Sequence, residues 1–501
     1  MTDINWHLRA KDVDCRAYNV INGHTAHDLG LNTIDKYSSR DSSLLYQVSV
    51  GTPADMEQAV ACARQAYKDK RWRGLPLHQR KVVLQALADL IEVHQETFAL
   101  YECLDAGKPI TQAMGEVMLA SETLRSAAEG VDKFFSPYLA DGAYSTYQFR
   151  KPLGVVGAII SWNYPLMLAA LKVGPALIMG NSLILKPSEY SALSAGYLAT
   201  LALEAGVPPG VFNVVQGAGN TVGTTLAHHT DVDLLSFTGS SVIGKQMQIA
   251  AGQSNMKRLL LECGGKSPYL VFDDCPANLD VVAADIVAAA FHNQSANCVA
   301  GTRLIIQDSI KEKLLPKVIE QAAQLIPQDP LDPETTFGAI INEAHMNKVL
   351  TYIESGKQEG AKLILGGSRV EVSSSGVCEK GYYIEPTIFD QVNPQQKIAR
   401  EEIFGPVLSV FTFTDEQEAI ELANNTCFGL AAYLATENIG RARRISHEIN
   451  AGFVMILGTS TPADCYREIG KEGLCESGFG PEGGLLGLAS YSVGMAVHQW
   501  A

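Results

Sequence analysis

The chain is short of positive charge: 39 lysines and arginines stand against 54 aspartates and glutamates, a formal net charge of −15. Nucleic-acid binding needs clustered cations facing phosphate, so the balance argues against that class of partner. Cys-x-x-Cys pairs are also missing. The ten cysteines are scattered from Cys15 to Cys475 without regular spacing, which removes the zinc reading. No metal is expected, and reduced, mostly buried thiols in a cytoplasmic protein are the expectation instead. Long hydrophobic runs are absent. The longest, 153–160 and 281–291 (interrupted by Asp285), are too short to span a bilayer. Residues 1–7 carry no basic patch leading into an apolar run, so no secretory signal is visible and no membrane partner is expected. Internal repeats and low-complexity segments are lacking too.

What is present is the profile of a globular enzyme. The 501 residues are 47% hydrophobic and 19% charged, enough for about two to four domains. Residues 54–70 and 80–106 carry apolar side chains at helical spacing. From 153 onward the pattern changes. Short β-branched or leucine-rich runs at 155–160, 183–185, 212–215, 234–237 and 259–261 alternate with helical stretches at 167–179, 192–205 and 241–252. Alternation at this rhythm predicts an α/β fold with a doubly wound, Rossmann-type parallel sheet. A second α/β series follows the Gly264-Gly265 turn, with strands at 269–272, 303–306, 363–365, 407–413 and 453–457 and helices near 281–292, 309–324 and 439–449. Residues 131–152 and the tail from 491 alternate as β-strands outside both series. They are expected to pair with another subunit or to form a local cover within one chain.

Ligands of a doubly wound sheet gather at the carboxyl ends of its strands. One end reads Ser161-Trp162-Asn163-Tyr164-Pro165, a second Lys186-Pro187-Ser188-Glu189, and a third Thr238-Gly239-Ser240 with Gly244 four residues on. Gly239 lets backbone approach a pyrophosphate at a helix start. Lys186 offers a cation, and Glu189 can accept hydrogen bonds from a ribose while repelling a 2′-phosphate, which favours NAD over NADP. Ser188 and Glu189 also read as a plain helix cap. Glu262 ends an apolar strand, where a carboxylate is costly without a task. Cys298 follows in a polar loop; the alternative for it is a small buried hydrophobe. A thiol nucleophile needs a base, and a thioester needs an activated water; Glu262 can serve both. Asn163, otherwise a turn residue, supplies an amide that with the Cys298 N–H makes an oxyanion hole. Together these residues point to aldehyde oxidation through a covalent thiohemiacetal.

The chain resembles the NAD(P)-dependent aldehyde dehydrogenase superfamily over nearly its whole length. The matching strings are Trp162-Asn163-Tyr164-Pro165, Lys172-Val173-Gly174-Pro175, Lys186-Pro187-Ser188-Glu189, Phe237-Thr238-Gly239-Ser240, Glu262 to Pro268, Cys298 with Ala300-Gly301-Thr302-Arg303, and Glu401-Glu402-Ile403-Phe404-Gly405-Pro406. The resemblance implies that Cys298 is the nucleophile, Glu262 the base and Asn163 an oxyanion donor, with Lys172 relaying a proton. It implies that Ser161, Trp162, Lys186, Ser188, Glu189, Gly239, Ser240, Gly244, Glu402 and Phe404 hold NAD. It implies an NAD-binding domain at 1–130 and 153–262, a catalytic domain at 263–483, and oligomerisation segments at 131–152 and 484–501. A homodimer or homotetramer is expected.

Departures from the family pattern concern the substrate. The usual Asn-Gln-Gly-Gln reads Asn293-Gln294-Ser295-Ala296, a usual tryptophan is Leu171, and a common aromatic is His292. The usual Pro-Phe-Gly-Gly reads Gly470-Lys471-Glu472-Gly473, within an atypical loop at 458–482. Tyr164, Leu168, Leu171, His292, Asn297, Val299 and Lys471 are the candidate funnel residues. A cation at the funnel mouth disfavours a betaine-type aminoaldehyde, so a bulky aldehyde, or an anionic one meeting Lys471, is expected. A CoA-acylating semialdehyde dehydrogenase is the enzymatic rival, which a retained Glu262 opposes. A non-catalytic binding protein of the same fold is the rival of another class.

Overall fold

The computed structural model describes residues 4–26, 33–371, 380–458 and 470–500. Apolar strand runs build two sheets, and most of their strands are covered on both faces. The first has eight strands in the order His24–Ala26, Asn19–Ile21, Phe212–Val214, Ser182–Lys186, Val155–Ile159, Leu234–Thr238, Arg258–Glu262 and Gly478–Phe479. The five strands from Phe212–Val214 to Arg258–Glu262 pair in parallel. Chain order reverses between Val155–Ile159 and Leu234–Thr238, and a reversal of this kind opens a crevice at the carboxyl ends. Both flanks are antiparallel: on one side Asn19–Ile21 pairs with Phe212–Val214 and with the edge strand His24–Ala26, and on the other Gly478–Phe479 is the edge. The expected parallel sheet is therefore mixed, because its edge strands are two- and three-residue pieces from distant parts of the chain.

The second sheet has seven strands in the order Lys362–Leu365, Thr387–Asp390, Val407–Phe413, Arg303–Gln307, Pro268–Val271, Ala431–Ala435 and Phe453–Ile456. Only Lys362–Leu365 runs antiparallel to its neighbour among the described strands. Thr387–Asp390 and Ala431–Ala435 are short runs that periodicity passes over. The Gly264-Gly265 turn carries the chain from the last parallel strand of the first sheet into the second. Strands Tyr138–Asp141, Tyr144–Pro152 and Ser492–Trp500 form a separate three-stranded sheet, with Ser492 opposite Pro152 and Trp500 opposite Tyr144. The two segments expected outside the main sheets thus pair with each other within one chain.

Two helical features differ from expectation. The stretch at 80–106 is two helices, Leu77–Val93 and Gln95–Ala106, broken at His94 (φ −99°, ψ 23°). Helix Ile110–Gly130, absent from the sequence reading, packs on Pro165–Ile178. Its inward stripe sets Ile110, Met114, Val117 and Leu124 at helical spacing, with alanines between them and Glu116 buried among them. Every residue of Pro165–Ile178 is buried, and its first position is proline, whose fixed φ starts a helix without a wasted N–H. That helix anchors the segment 161–164 above it. Among the described residues, no helix is long and apolar enough to cross a membrane.

Candidate active site

Asn163 leaves the first strand and is 3% exposed. Its Nδ2 donates to the Ala296 carbonyl at 3.0 Å, and its Oδ1 accepts from Ser161 Oγ at 2.7 Å. Its own carbonyl accepts from Lys108 Nζ at 2.9 Å and from Asn293 Nδ2 at 3.1 Å. Lys108 is fully buried, paired with Glu116, and sits 4.6 Å from the Tyr164 ring centroid. This lysine was missed in the sequence; the only signal was a cation in the apolar surroundings between two helices.

The loop bearing Cys298 turns through three consecutive left-handed residues, Asn293, Gln294 and Ser295, at φ 51°, 53° and 59°. Left-handed backbone is uncommon outside glycine and persists only where surroundings enforce it. Here Asn293 Nδ2 also donates to Ala296 O at 3.2 Å, and Ser295 Oγ donates to Ala290 O. Ser295 stands where the family pattern has glycine, and its hydroxyl ties down the strained turn. Cys298 emerges on the cavity wall, and Asn297 Oδ1 accepts from the Val299 N–H at 3.3 Å.

Glu262 ends its strand on the same wall. Two glycines then bring the backbone into close contact with the Cys298 loop and with Glu402. A Cβ at Gly265 would overlap the Cys298 carbonyl oxygen, and one at Gly264 would overlap the Glu402 carboxylate. Glu402 Oε1 accepts from the Gly265 N–H at 3.1 Å. Burial pushes the carboxyls of Glu262 and Glu402 and the thiol of Cys298 upward, and Lys471 opposes this at Glu262 and Cys298.

All of this surrounds one cavity of about 710 Å³ at the strand-order reversal. Its walls carry Ser161, Trp162, Asn163, Tyr164, Leu168, Lys186, Ser188, Glu189, Gly239, Ser240, Glu262, Asn297, Cys298, Glu402 and Phe404. Lys186 Nζ lies 3.1 Å from Glu189 Oε2, and Ser188 Oγ accepts from the Tyr190 N–H at 3.2 Å. Trp162 meets Phe404 edge to face at 5.2 Å and His345 at 5.4 Å. Ser240 caps helix Ser241–Gln253, and Thr238 Oγ1 is buried without a hydrogen-bond partner on the same wall.

A family model described as the aldehyde dehydrogenase family matches residues 26–497. The chain belongs to that family. It is 41% identical to the NADP/NAD-dependent aldehyde dehydrogenase PuuC of Escherichia coli strain K12, covering 87% of this chain and 86% of that one. It is 40% identical to aminoacetaldehyde dehydrogenase of Pseudomonas aeruginosa, covering 92% of each. The crystal structure of an indole-3-acetaldehyde dehydrogenase complexed with NAD+ superimposes with a TM-score of 0.95 at 41% identity, covering 99% of each chain.

Against this aldehyde dehydrogenase pattern, several expected residues sit elsewhere. Gly244 is off the cavity: a Cβ there would meet Cys263 Sγ at 2.6 Å, so the glycine serves helix-to-strand packing. Leu171 lines a different hollow, between helix Ile110–Gly130 and residues 483–488. Val299 is buried against Leu430 and Ala431. His292 stacks on Tyr164 and meets Gln112, and burial with Lys108 nearby pushes it down to about 4. Lys172 lies beneath the wall, paired with Glu482. Lys471 is not at a funnel mouth. Its side chain is 2% exposed, and Nζ lies 3.0 Å from Glu262 Oε2. Residues 459–469 of the atypical loop lie outside the described residues; beyond them Gly478–Phe479 pairs antiparallel with the Glu262 strand end and Lys471 bridges Glu482. Residues the sequence reading passed over include His345, Lys348 and Thr224 on the cavity wall.

Proposed function

We propose that the protein oxidises a bulky aldehyde to its carboxylic acid with NAD, through Cys298. The carrying observation is that Cys298, Glu262 and Asn163 line one cavity together with the strand-end residues Lys186, Glu189 and Thr238. The residues fit the cofactor. Glu189, held by Lys186 and partly open to the cavity, suits a ribose diol and repels a 2′-phosphate. Thr238 has a buried hydroxyl to satisfy, and the Ser240 helix start favours a pyrophosphate. Trp162, Glu402 and Phe404 would border the nicotinamide end.

A bound nicotinamide supplies the acceptor for the aldehyde hydrogen. The protein does the rest. Cys298 Sγ bonds the aldehyde carbon while Asn163 Nδ2 and the Cys298 N–H receive the developing oxyanion. Glu262 takes a proton from water as that water attacks the thioester and the C–S bond breaks onto Cys298 Sγ; the Lys172–Glu482 pair lies behind it, with the Glu482 carboxylate the group able to take the proton onward. Tyr164, Met167 and Leu168 give the substrate side an apolar surface. That suits a bulky aldehyde, in keeping with the indole-3-acetaldehyde named for one structural relative.

The finer organisation is part of the same reading. Residues 1–130 and 153–262 serve NAD, 263–483 carry the chemistry, and 131–152 with 484–501 meet another copy. The exposed Tyr138, Leu139, Phe149 and Met495 of the three-stranded sheet support a homodimer or homotetramer. Buried unpaired thiols at Cys103, Cys263 and Cys275 fit a cytoplasmic address.

The test is NADH formation with a panel of aldehydes, with and without CoA. Cys298→Ala should abolish oxidation while NAD still binds. Glu262→Gln should keep a first-turnover burst of NADH and slow release of the acid. Activity of Cys298→Ala near wild type, or a strict need for CoA, would overturn the reading.

A further inference from the structure

Four buried charges form a run behind the cavity wall: Lys172, Glu482, Lys471 and Glu262. Lys172 pairs with Glu482. Lys471 donates its N–H to the Glu482 carbonyl at 2.9 Å and accepts the Glu482 N–H at 2.8 Å. Its ammonium then reaches Glu262 Oε2 at 3.0 Å, with side-chain exposures of 2% and 4%.

The backbone brings Lys471 within reach of this contact. Strand Gly478–Phe479 pairs antiparallel with Leu261 and Glu262. Ser477 accepts the Cys263 N–H on its carbonyl at 2.9 Å, and its Oγ donates to Gly264 O at 2.7 Å. Gly470 takes a left-handed φ of 84°, and a Cβ there would strike the Gly483 carbonyl. The returning segment is thus pinned to both sides of the Glu262 strand end, and Lys471 has a fixed approach. A cation buried this deeply is tolerable only when paired. The phenylalanine usual at this point in the family pattern would supply no charge.

We propose that Lys471 is a positioning residue for thioester hydrolysis, holding Glu262 charged and in place beside Cys298. The proposal rests on the assignment of Glu262 as base. In that step the water oxygen bonds the thioester carbon, Glu262 takes the water proton, and the C–S bond breaks with its electron pair left on Cys298 Sγ. Glu262 faces Lys471, Glu482 and Lys172, whereas Cys298 faces Lys471, Glu262 and Glu402. Lys471 is the cation common to both, so it favours carboxylate and thiolate together, while the surrounding carboxylates oppose the thiolate.

Two variants, Lys471→Met and Lys471→Phe, test this by steady-state turnover against pH, the NADH burst, and alkylation of Cys298 by iodoacetamide followed on its own peptide. The acidic limb of turnover should move up by about one to three pH units, with the alkylation limb moving in the same direction. The burst should keep its amplitude while its rate falls with the rising alkylation limb, and ethylammonium should restore part of the turnover of Lys471→Ala. Unmoved limbs in folded Lys471→Met or Lys471→Phe would overturn the proposal. If neither folds, Lys471→Arg decides: retention of the wild-type limb with the charge kept supports it, and a limb displaced upward by a unit overturns it. Glu262→Gln with wild-type acid release would instead sink the base assignment, a separate result.

Discussion

Asn163 Nδ2 donates to the carbonyl of Ala296, two residues before Cys298, at 3.0 Å. The amide expected to receive an oxyanion therefore also ties the nucleophile loop to the end of the first sheet. Asn163→Ala should lower kcat by about 100- to 1000-fold, the usual effect of losing one oxyanion donor. Because a buried hydrogen bond goes too, stability should fall by about 1–2 kcal/mol. Stopped-flow NADH formation and urea unfolding read the two effects separately, and a variant within fivefold of wild-type turnover would remove Asn163 from the oxyanion site.

Gly265 cannot carry a side chain without displacing Cys298, since a Cβ would overlap the Cys298 carbonyl oxygen. Gly265→Ala should destabilise the fold by about 1–3 kcal/mol, as overpacking does, and should also cost activity because the displaced residue is the proposed nucleophile. Denaturation midpoints together with kcat check this. A stable, fully active variant would show that the loop yields freely.

Glu189 is proposed to set the choice of dinucleotide. Glu189→Gln should narrow the preference for NAD over NADP, chiefly through the KM for NADP, because the carboxylate that repels a 2′-phosphate is gone. The kcat/KM ratio for the two cofactors is the measurement. A wild-type protein that prefers NADP contradicts the role given to this residue.

Acid should weaken the fold through two buried histidines. Burial pushes His292 and His345 from 6.5 down to about 4. The unfolded chain therefore takes up their protons first. The stability they hold is complete above about pH 6.5 and drains as pH falls toward 4, reaching about 2 kcal/mol lost per residue by pH 5. Asp105 and Glu116, raised to about 7 by burial, bind protons in the folded state and act in the opposite sense. The difference between wild type and His292→Gln isolates the histidine. Urea midpoints at pH 7.5 and 5 should converge on acidification, and a constant gap would contradict the buried, neutral ring.

Much of the site was legible because its chemistry is written locally. Cys298, Glu262, Asn163, Lys186 and Glu189 each stand at a strand end or in a loop, and strand ends can be placed from where apolar runs stop. Helix Ile110–Gly130 was passed over although Ile110, Met114, Val117 and Leu124 stand at helical spacing; Glu116, Ser121 and Thr123, buried on the same helix, blur that stripe. The break at His94 was also hidden, because both helices share one apolar periodicity. Gly244 shows a different limit. Its position after a strand suggests phosphate, and only the nearby Cys263 sulfur shows that helix packing uses the missing Cβ.

By itself the sequence determined the alternation of strands and helices, the turn between the two sheets, and the residue types that nucleophilic aldehyde chemistry requires. Those features depend on periodicity and on neighbours a few residues apart. Tertiary structure alone decided that Lys471, more than two hundred residues beyond Glu262, pairs with it at 3.0 Å. A loop lysine reads as solvated from its neighbours. Here the pairing of Gly478–Phe479 with Leu261 and Glu262, and of Lys471 with Glu482, buries it where an ammonium is tolerable only beside a carboxylate. Long-range pairing of this kind is set by backbone hydrogen bonds between remote segments, and no local pattern encodes it.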